Sequence, residues 1–232
     1  MGRSTITPGR QKDLMRPLKV EPVAAPVPSR GVGSTSASRA ARVAASASGE
    51  IRIIGGQWRR TKLTVLTRTD LRPTPDRVRE TLFNWLGQDM GGWRCLDAFA
   101  GTGALGLEAA SRNAAQVRMV ESDSGLAAQL RQQVEKLGAT TVDVVRGDAL
   151  AALQSAGAGR WDVIFLDPPF TSTLFVPALK ASHAALADDG YVYLEAPTLW
   201  TEEELAPLGF VLHKQLKAGA VFSHLLRKRV EA

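Results

Sequence analysis

From Trp93 onward the chain alternates short β-prone runs with longer helical stretches, and this alternation restricts the fold more than any other feature. The strand candidates are Arg94–Asp97, Gln116–Glu121, Val142–Arg146, 162–167 and 191–196. Helices are predicted between them, notably at 103–111, Ser124–Leu137 and 173–187. Strands separated by helices cannot pair through tight hairpins. They lie parallel, joined by right-handed crossovers. Near the end the pattern changes: runs at 210–216 and Val221–Lys228 meet at Ala218-Gly219 with no helix between them, which predicts a hairpin. The expected fold is α/β, a mostly parallel seven-stranded sheet with a C-terminal antiparallel hairpin.

At 232 residues the chain is long enough for one good core and a small appendage. Residues 51–92 supply the appendage. Ile51-Arg-Ile-Ile54 and Leu63-Thr-Val65 flank Gly55-Gly56 and Trp58-Arg-Arg60, which suggests a β-hairpin. A helix follows, with Thr74 as its cap, Pro75 in its first position and Asp76 in its first turn. Val78, Leu82, Trp85 and Leu86 share one face of this helix, which leaves Arg77 and Arg79 on the surface. Residues 1–50, rich in Ser, Ala, Arg and Pro, read as a disordered basic tail. The same composition suits an organelle transit peptide or sequence upstream of a later start. Residues 93–232 are expected to form the main α/β domain.

Charge is segregated along the chain. Residues 1–50 carry eight Lys or Arg against three Asp or Glu, and residues 51–94 carry nine against four. The remainder carries twelve against sixteen, so the basic half of the molecule is its beginning. A polyanion contact there and a solvated basic surface both fit this pattern. Cys95 is the single cysteine, which excludes an internal disulfide and fits a reducing, cytoplasmic compartment. His183, His213 and His224 lack ligand spacing, so no metal is expected. No apolar run approaches the roughly 18–20 residues a membrane span needs.

Cys95-Leu-Asp-Ala-Phe-Ala-Gly-Thr-Gly-Ala-Leu-Gly106 passes from a strand through a glycine-rich turn into a helix. Gly101-Thr-Gly-Ala-Leu-Gly106 alone matches a dinucleotide fingerprint, and Glu121 stands about twenty residues further on, so a dehydrogenase is a fair rival. Asp97 weighs against it. An anion beside the loop repels a pyrophosphate but suits the ammonium and sulfonium of S-adenosylmethionine. Glu121 is then placed for the ribose hydroxyls. Asp148, in Arg146-Gly-Asp-Ala149, is placed for the adenine amine or as a helix cap.

Val163-Ile-Phe-Leu-Asp-Pro-Pro-Phe170 is the sharpest signal. A buried strand delivers Asp167 to the carboxyl edge of the sheet, and Pro168 and Pro169 stiffen the turn. An exocyclic base amine is a poor nucleophile because its lone pair is delocalised. Hydrogen bonds to the Asp167 carboxylate and the Pro168 carbonyl localise that pair and aim it. Phe170 offers a face on which an unstacked base can lie.

Asp-Pro-Pro-Phe resembles the signature of amino-group methyltransferases. More narrowly, three segments resemble the bacterial 16S ribosomal RNA guanine-N2 methyltransferase family called RsmD: Ile51 to Arg60, Leu71 to Leu86, and Leu96 to Ala109. The resemblance spans roughly residues 51–228. It implies a class I, Rossmann-like methyltransferase fold, S-adenosylmethionine as cofactor, and 16S rRNA in a partly assembled small subunit as partner, with the protein a monomer. By that resemblance Asp167, Pro168, Pro169 and Phe170 are catalytic. Asp97, Phe99, Gly101, Gly103, Glu121, Asp148 and Ala149 hold the cofactor. Arg72, Thr74, Arg77 and Arg79, with the basic Arg59 and Arg60, face the substrate. The rivals are a DNA adenine-N6 methyltransferase, a glutamine-amide methyltransferase, whose signature usually reads Asn-Pro-Pro-Tyr, and a non-catalytic RNA-binding assembly factor on the same scaffold.

Overall fold

The computed structural model describes residues 50–64 and 74–229. The expected tail, apart from Glu50, lies outside the described residues, as do Val65 and Arg72. A short antiparallel pair, β1 (Glu50–Arg52) and β2 (Lys62–Thr64), comes first, followed by helix α1 (Asp76–Leu86). The alternating region then unfolds in order: β3 (Arg94–Asp97), α2 (Ala104–Ser111), β4 (Gln116–Glu121), α3 (Ser124–Leu137), β5 (Val142–Arg146), α4 (Ala149–Gln154), β6 (Trp161–Leu166), α5 (Phe175–Ala185) and β7 (Leu186–Ala196). Helix α6 (Glu202–Leu205) leads to the closing hairpin, β8 (Phe210–Ala218) and β9 (Val221–Lys228).

The sheet runs β5-β4-β3-β6-β7-β9-β8. Its first five strands are mutually parallel, and β9 is inserted antiparallel between β7 and β8. The predicted strands and hairpin are all present. The chain moves outward from β3 through β4 to β5, then returns to the other side of β3 as β6. That reversal leaves a crevice beyond the carboxyl ends of β3 and β6, where open α/β sheets bind ligands. Val163, Ile164, Phe165 and Leu166 in β6 are wholly buried, because helices cover both faces of a parallel sheet.

One face packs against α4, α5 and α6, with Leu153, Ala178, Leu179 and Leu205 in its core. The other packs against α2 and α3 and against the N-terminal segment: Ile51, Ile53, Leu63, Leu82, Phe83 and Leu86 share a core with Val117, Val163, Phe165 and Tyr193. Helix α4 begins at the cap foreseen in Asp148, whereas α6, with a reciprocal capping box between Thr201 and Glu204, has no counterpart among the predicted helices.

Two expectations for α1 need correction. Thr74 is not its cap, because Val78 and Arg79 donate to the Pro75 carbonyl and Pro75 takes that position. Arg79 is not on the surface. It is 0% exposed, and Phe83 rather than Trp85 completes the inward face. Its guanidinium donates to Asp76 at 2.6 Å and to the Arg52 carbonyl at 2.9 Å, and lies 3.6 Å from Glu108. Glu108, also buried, accepts the backbone N–H groups of Ile54 and Gly55 at 2.8 and 2.7 Å and pairs with Arg112 at 2.8 Å. A buried carboxylate is tolerated when its oxygens are this fully engaged. Nearby, Gly56 adopts φ +73, and a Cβ there would meet the Ser111 carbonyl at 1.8 Å, so only glycine permits this close docking.

Candidate active site

A cleft of about 820 Å³ opens at the carboxyl ends of β3, β4, β5 and β6. Asp97, Phe99, Gly101, Glu121, Asp148 and Ala149 line it, and so do Asp167, Pro168, Pro169, Phe170 and Thr74. Eleven of the residues singled out in the sequence thus meet in one place, although they come from segments spread across nearly a hundred positions.

Asp97 ends β3 and is 2% exposed. Its carboxylate accepts the Gly106 N–H at 2.9 Å, which ties the strand end to the first turn of α2. Burial pushes its pKa up to about 7, against the lowering effect of that N–H, and Glu121 adds to the rise. Glu121 ends β4, and its two oxygens accept the N–H groups of Gly101 at 2.9 Å and Asp123 at 2.8 Å. Those bonds orient the carboxylate and leave each oxygen further acceptor capacity. Asp148 accepts the Ala151 N–H at 2.8 Å as the α4 cap while also lining the cleft, so both roles foreseen for it coexist geometrically.

Asp167 follows β6 by one residue. Burial holds its carboxyl well above the usual range, and Glu195 and Asp97 reinforce this. Pro168 is buried, Phe170 is half-buried, and a turn closed by the Ser172 N–H on the Pro169 carbonyl at 2.8 Å carries the chain away.

Gly103 does not line the cleft. It caps α2 with φ +79, and a Cβ would lie 2.6 Å from Leu130, so its contribution is the packing of the loop against α3. Arg59, Arg60 and Arg77 are exposed and lie outside the cleft wall. Arg79, being buried in the clamp with Glu108, is withdrawn from any phosphate.

Glu195, in β7, was missed. It is 4% exposed, lines the cleft and accepts the Tyr193 hydroxyl at 2.8 Å. Its signal was available, since, like Asp97, Glu121 and Asp167, it is an acid at the carboxyl end of a predicted strand. Thr102 and Asp123 also line the wall unannounced. Among the described residues, no group of three or more His, Cys, Asp or Glu is placed to hold a metal, and no helix is long and apolar enough to cross a membrane.

The donor set discriminates between cofactors. Asp97, Asp167 and Glu195 all line the cleft wall. Burial raises the pKa of the first two, with Glu121 adding to the rise at Asp97, and Glu195 and Asp97 adding to it at Asp167. A pyrophosphate would add negative charge to that wall, whereas the ammonium and sulfonium of S-adenosylmethionine relieve it. The volume lies within the usual range for ligand clefts.

The chain resembles known proteins over most of its length. Residues 51–227 match the family described as Conserved hypothetical protein 95. "Ribosomal RNA small subunit methyltransferase D" of Escherichia coli K12 is 41% identical over 190 residues, covering 80% of this chain and 94% of the relative. The Haemophilus influenzae protein of the same name is 39% identical over 184 residues, covering 76% and 93%. The solved structure of Escherichia coli yhhF superposes with a TM-score of 0.69 at 40% identity, covering 79% of this chain and all of that one. At 15% identity, a SAM-dependent methyltransferase from Aquifex aeolicus shares the fold with a TM-score of 0.52, covering 66% of this chain and 93% of its own. The cleft, its acidic cofactor wall and these similarities together place the chain in the RsmD family, as a class I methyltransferase that uses S-adenosylmethionine.

Proposed function

We propose that this protein methylates the N2 amine of a guanine in the 16S rRNA of the small ribosomal subunit. The observation that carries the reading is the juxtaposition of Asp167 and Pro168 with Asp97 in one cleft. The acceptor's amine and the cofactor's cationic end are thereby assigned to neighbouring strand ends, β6 and β3. The names of the relatives support an rRNA substrate, and the exposed Arg59, Arg60, Lys62 and Arg77 supply a basic surface for it.

S-adenosylmethionine supplies an electrophilic methyl group when bound. The protein's own residues do the rest. Asp97 and Glu121 orient the cofactor through its ammonium and ribose, and Asp148 accepts from its adenine. Phe170 stacks on a base drawn out of its helix. The Asp167 carboxylate and Pro168 carbonyl accept the two amine hydrogens, so the nitrogen lone pair is held out of the ring's conjugation and toward the methyl. Once the nitrogen has become cationic it loses a proton readily, and the elevated affinity of Asp167 for protons makes its carboxylate a suitable recipient.

Mass mapping of modified nucleosides in small-subunit rRNA, from cells with and without the gene, tests this reading. Loss of one N2-methylguanosine is expected, restored by the wild-type gene and not by Asp167→Ala. Loss of a methylated adenine or cytosine instead would replace the proposed acceptor.

A further inference from the structure

An acidic strand end followed by two prolines can hold any exocyclic amine, so Asp167 and Pro168 cannot by themselves select guanine over adenine or cytosine. What separates guanine is the ring nitrogen beside the amine: N1 of guanine carries a hydrogen. The corresponding nitrogen of adenine or cytosine is an acceptor. A guanine-selective cleft therefore needs a second acceptor next to the one that holds the amine.

Glu195 stands at that place. Leu166 of β6 pairs with Leu194 of β7, so Asp167 and Glu195 follow in step on adjacent parallel strands. Adjacent strands run about 4.8 Å apart, and the alternation of side chains turns the two carboxylates to the same side of the sheet. Both line the cleft. Glu195 is further held in place from behind. The Tyr193 hydroxyl donates to Oε1 at 2.8 Å and lies 3.1 Å from the Ser223 hydroxyl of β9, and both Tyr193 and Ser223 are buried. Burying a second carboxylate beside the first is costly, and an uncharged side chain would pack the same space at lower cost. A hydrogen-bond donor at this position of the ligand is what makes the carboxylate useful.

We propose that Glu195 specifies guanine, its carboxylate accepting the N1–H while Asp167 and Pro168 hold the neighbouring 2-amine. The inference rests on the guanine-N2 reading above and gives it a discriminating residue. Tyr193 is a positioning residue that fixes the carboxylate for this contact.

The test uses 2-aminopurine, which keeps the 2-amine but has a bare N1 and no O6. Once the target nucleotide is mapped, guanine or 2-aminopurine is placed there in rRNA assembled into small subunits. Single-turnover methylation is then measured for the full-length wild type, Glu195→Gln and Tyr193→Phe. A site built around a donor rejects an analogue lacking it strongly, so the wild type should prefer guanine by about 10²–10³-fold. Glutamine accepts from N1–H through its carbonyl and donates to a bare N1 through its amide, so Glu195→Gln should narrow the preference to within about tenfold. The loss of O6 is common to both enzymes and cancels in this comparison. Tyr193→Phe should give an intermediate ratio.

If wild type methylates both bases equally, the assignment is overturned without reference to any variant, which covers the case of a variant that does not fold. An unchanged ratio in a folded Glu195→Gln that still binds S-adenosylmethionine overturns it as well, while leaving guanine N2 as the acceptor. A mapped product other than N2-methylguanosine removes the underlying reading instead, so the two failures are told apart.

Discussion

Asp97 and Asp167 are carboxylates whose surroundings oppose the charge their proposed tasks require. The Asp97 pKa, at about 7, lies above the roughly 3.9 of an unfolded Asp. Between those values the ligand-free native protein holds a proton that the unfolded chain has released, so this group's contribution to stability declines as pH rises through that window. A cation beside it favours the ionised form. S-adenosylmethionine affinity should therefore climb as pH rises from about 5 toward 7, by up to about tenfold per unit, and then level off. Asp97→Asn should bind at least about tenfold more weakly at neutral pH, with this dependence flattened. Calorimetry in buffers of different protonation enthalpy reads both the affinity and the proton released, and pH-independent binding by wild type would remove the coupling. At Asp167 the expected order is Asp, then Asn, then Ala. Asn still accepts a hydrogen bond and should cost about five- to thirty-fold in single-turnover rate. Ala removes the acceptor and should cost about 10²–10³-fold. The gap between Asp and Asn should shrink as pH falls, since a protonated Asp167 has lost its charge too. Equal loss in Asn and Ala would instead make proton abstraction the step that matters.

The helix α2 serves two neighbours at once. Its first turn ties to Asp97 through Gly106, and its last turns hold the β1–β2 hairpin through Glu108 and Ser111. Removing the acid with Glu108→Ala leaves Arg79 and Arg112 buried without it, which should cost about 3–5 kcal/mol in urea unfolding. A loss below about 1 kcal/mol would mean the clamp is dispensable. The exposed cations of this segment should behave in the opposite way. Neutralising Arg59, Arg60, Lys62 and Arg77 should leave unfolding nearly unchanged. It should lower RNA affinity and flatten its log–log salt slope by roughly 0.7–0.9 per lost phosphate contact. An unaltered slope would assign these residues to solvent. Arg79→Ala should resemble Glu108→Ala, with lowered stability, because its guanidinium lies inside the protein.

At the scale of the whole molecule, the N-terminal segment is part of the methyltransferase core. Ile51, Ile53, Leu63, Leu82, Phe83 and Leu86 are buried against the sheet, and each fully buried apolar side chain contributes about 1.5–3 kcal/mol. Together they rival the roughly 5–15 kcal/mol that holds an average domain folded. A fragment starting at residue 93 should accordingly lack a cooperative urea transition and the near-ultraviolet signal of packed aromatics, both present in the full chain. A cooperative fragment would make the segment a separable appendage. Much of this architecture was legible in the chain itself. Strand and helix periods, the Asp97 loop and the Asp167-Pro168-Pro169-Phe170 turn are written in consecutive residues, and local periodicity with turn chemistry encodes them. The sites of Glu121 and Asp148 were legible for the same reason, as acids at the ends of readable strands. Arg79 was misread because a helix pattern shows which residues are apolar, and a buried arginine is revealed only by its partners. Those partners, Glu108 and the Arg52 carbonyl, are distant in sequence. Leu130 of another helix fills the space a Cβ on Gly103 would need, a packing demand that no local pattern shows. Glu195 becomes a neighbour of Asp167 only because β7 lies beside β6, with Leu194 paired to Leu166. Which charges are buried, and which acids become neighbours, depends on contacts between segments that no local pattern encodes.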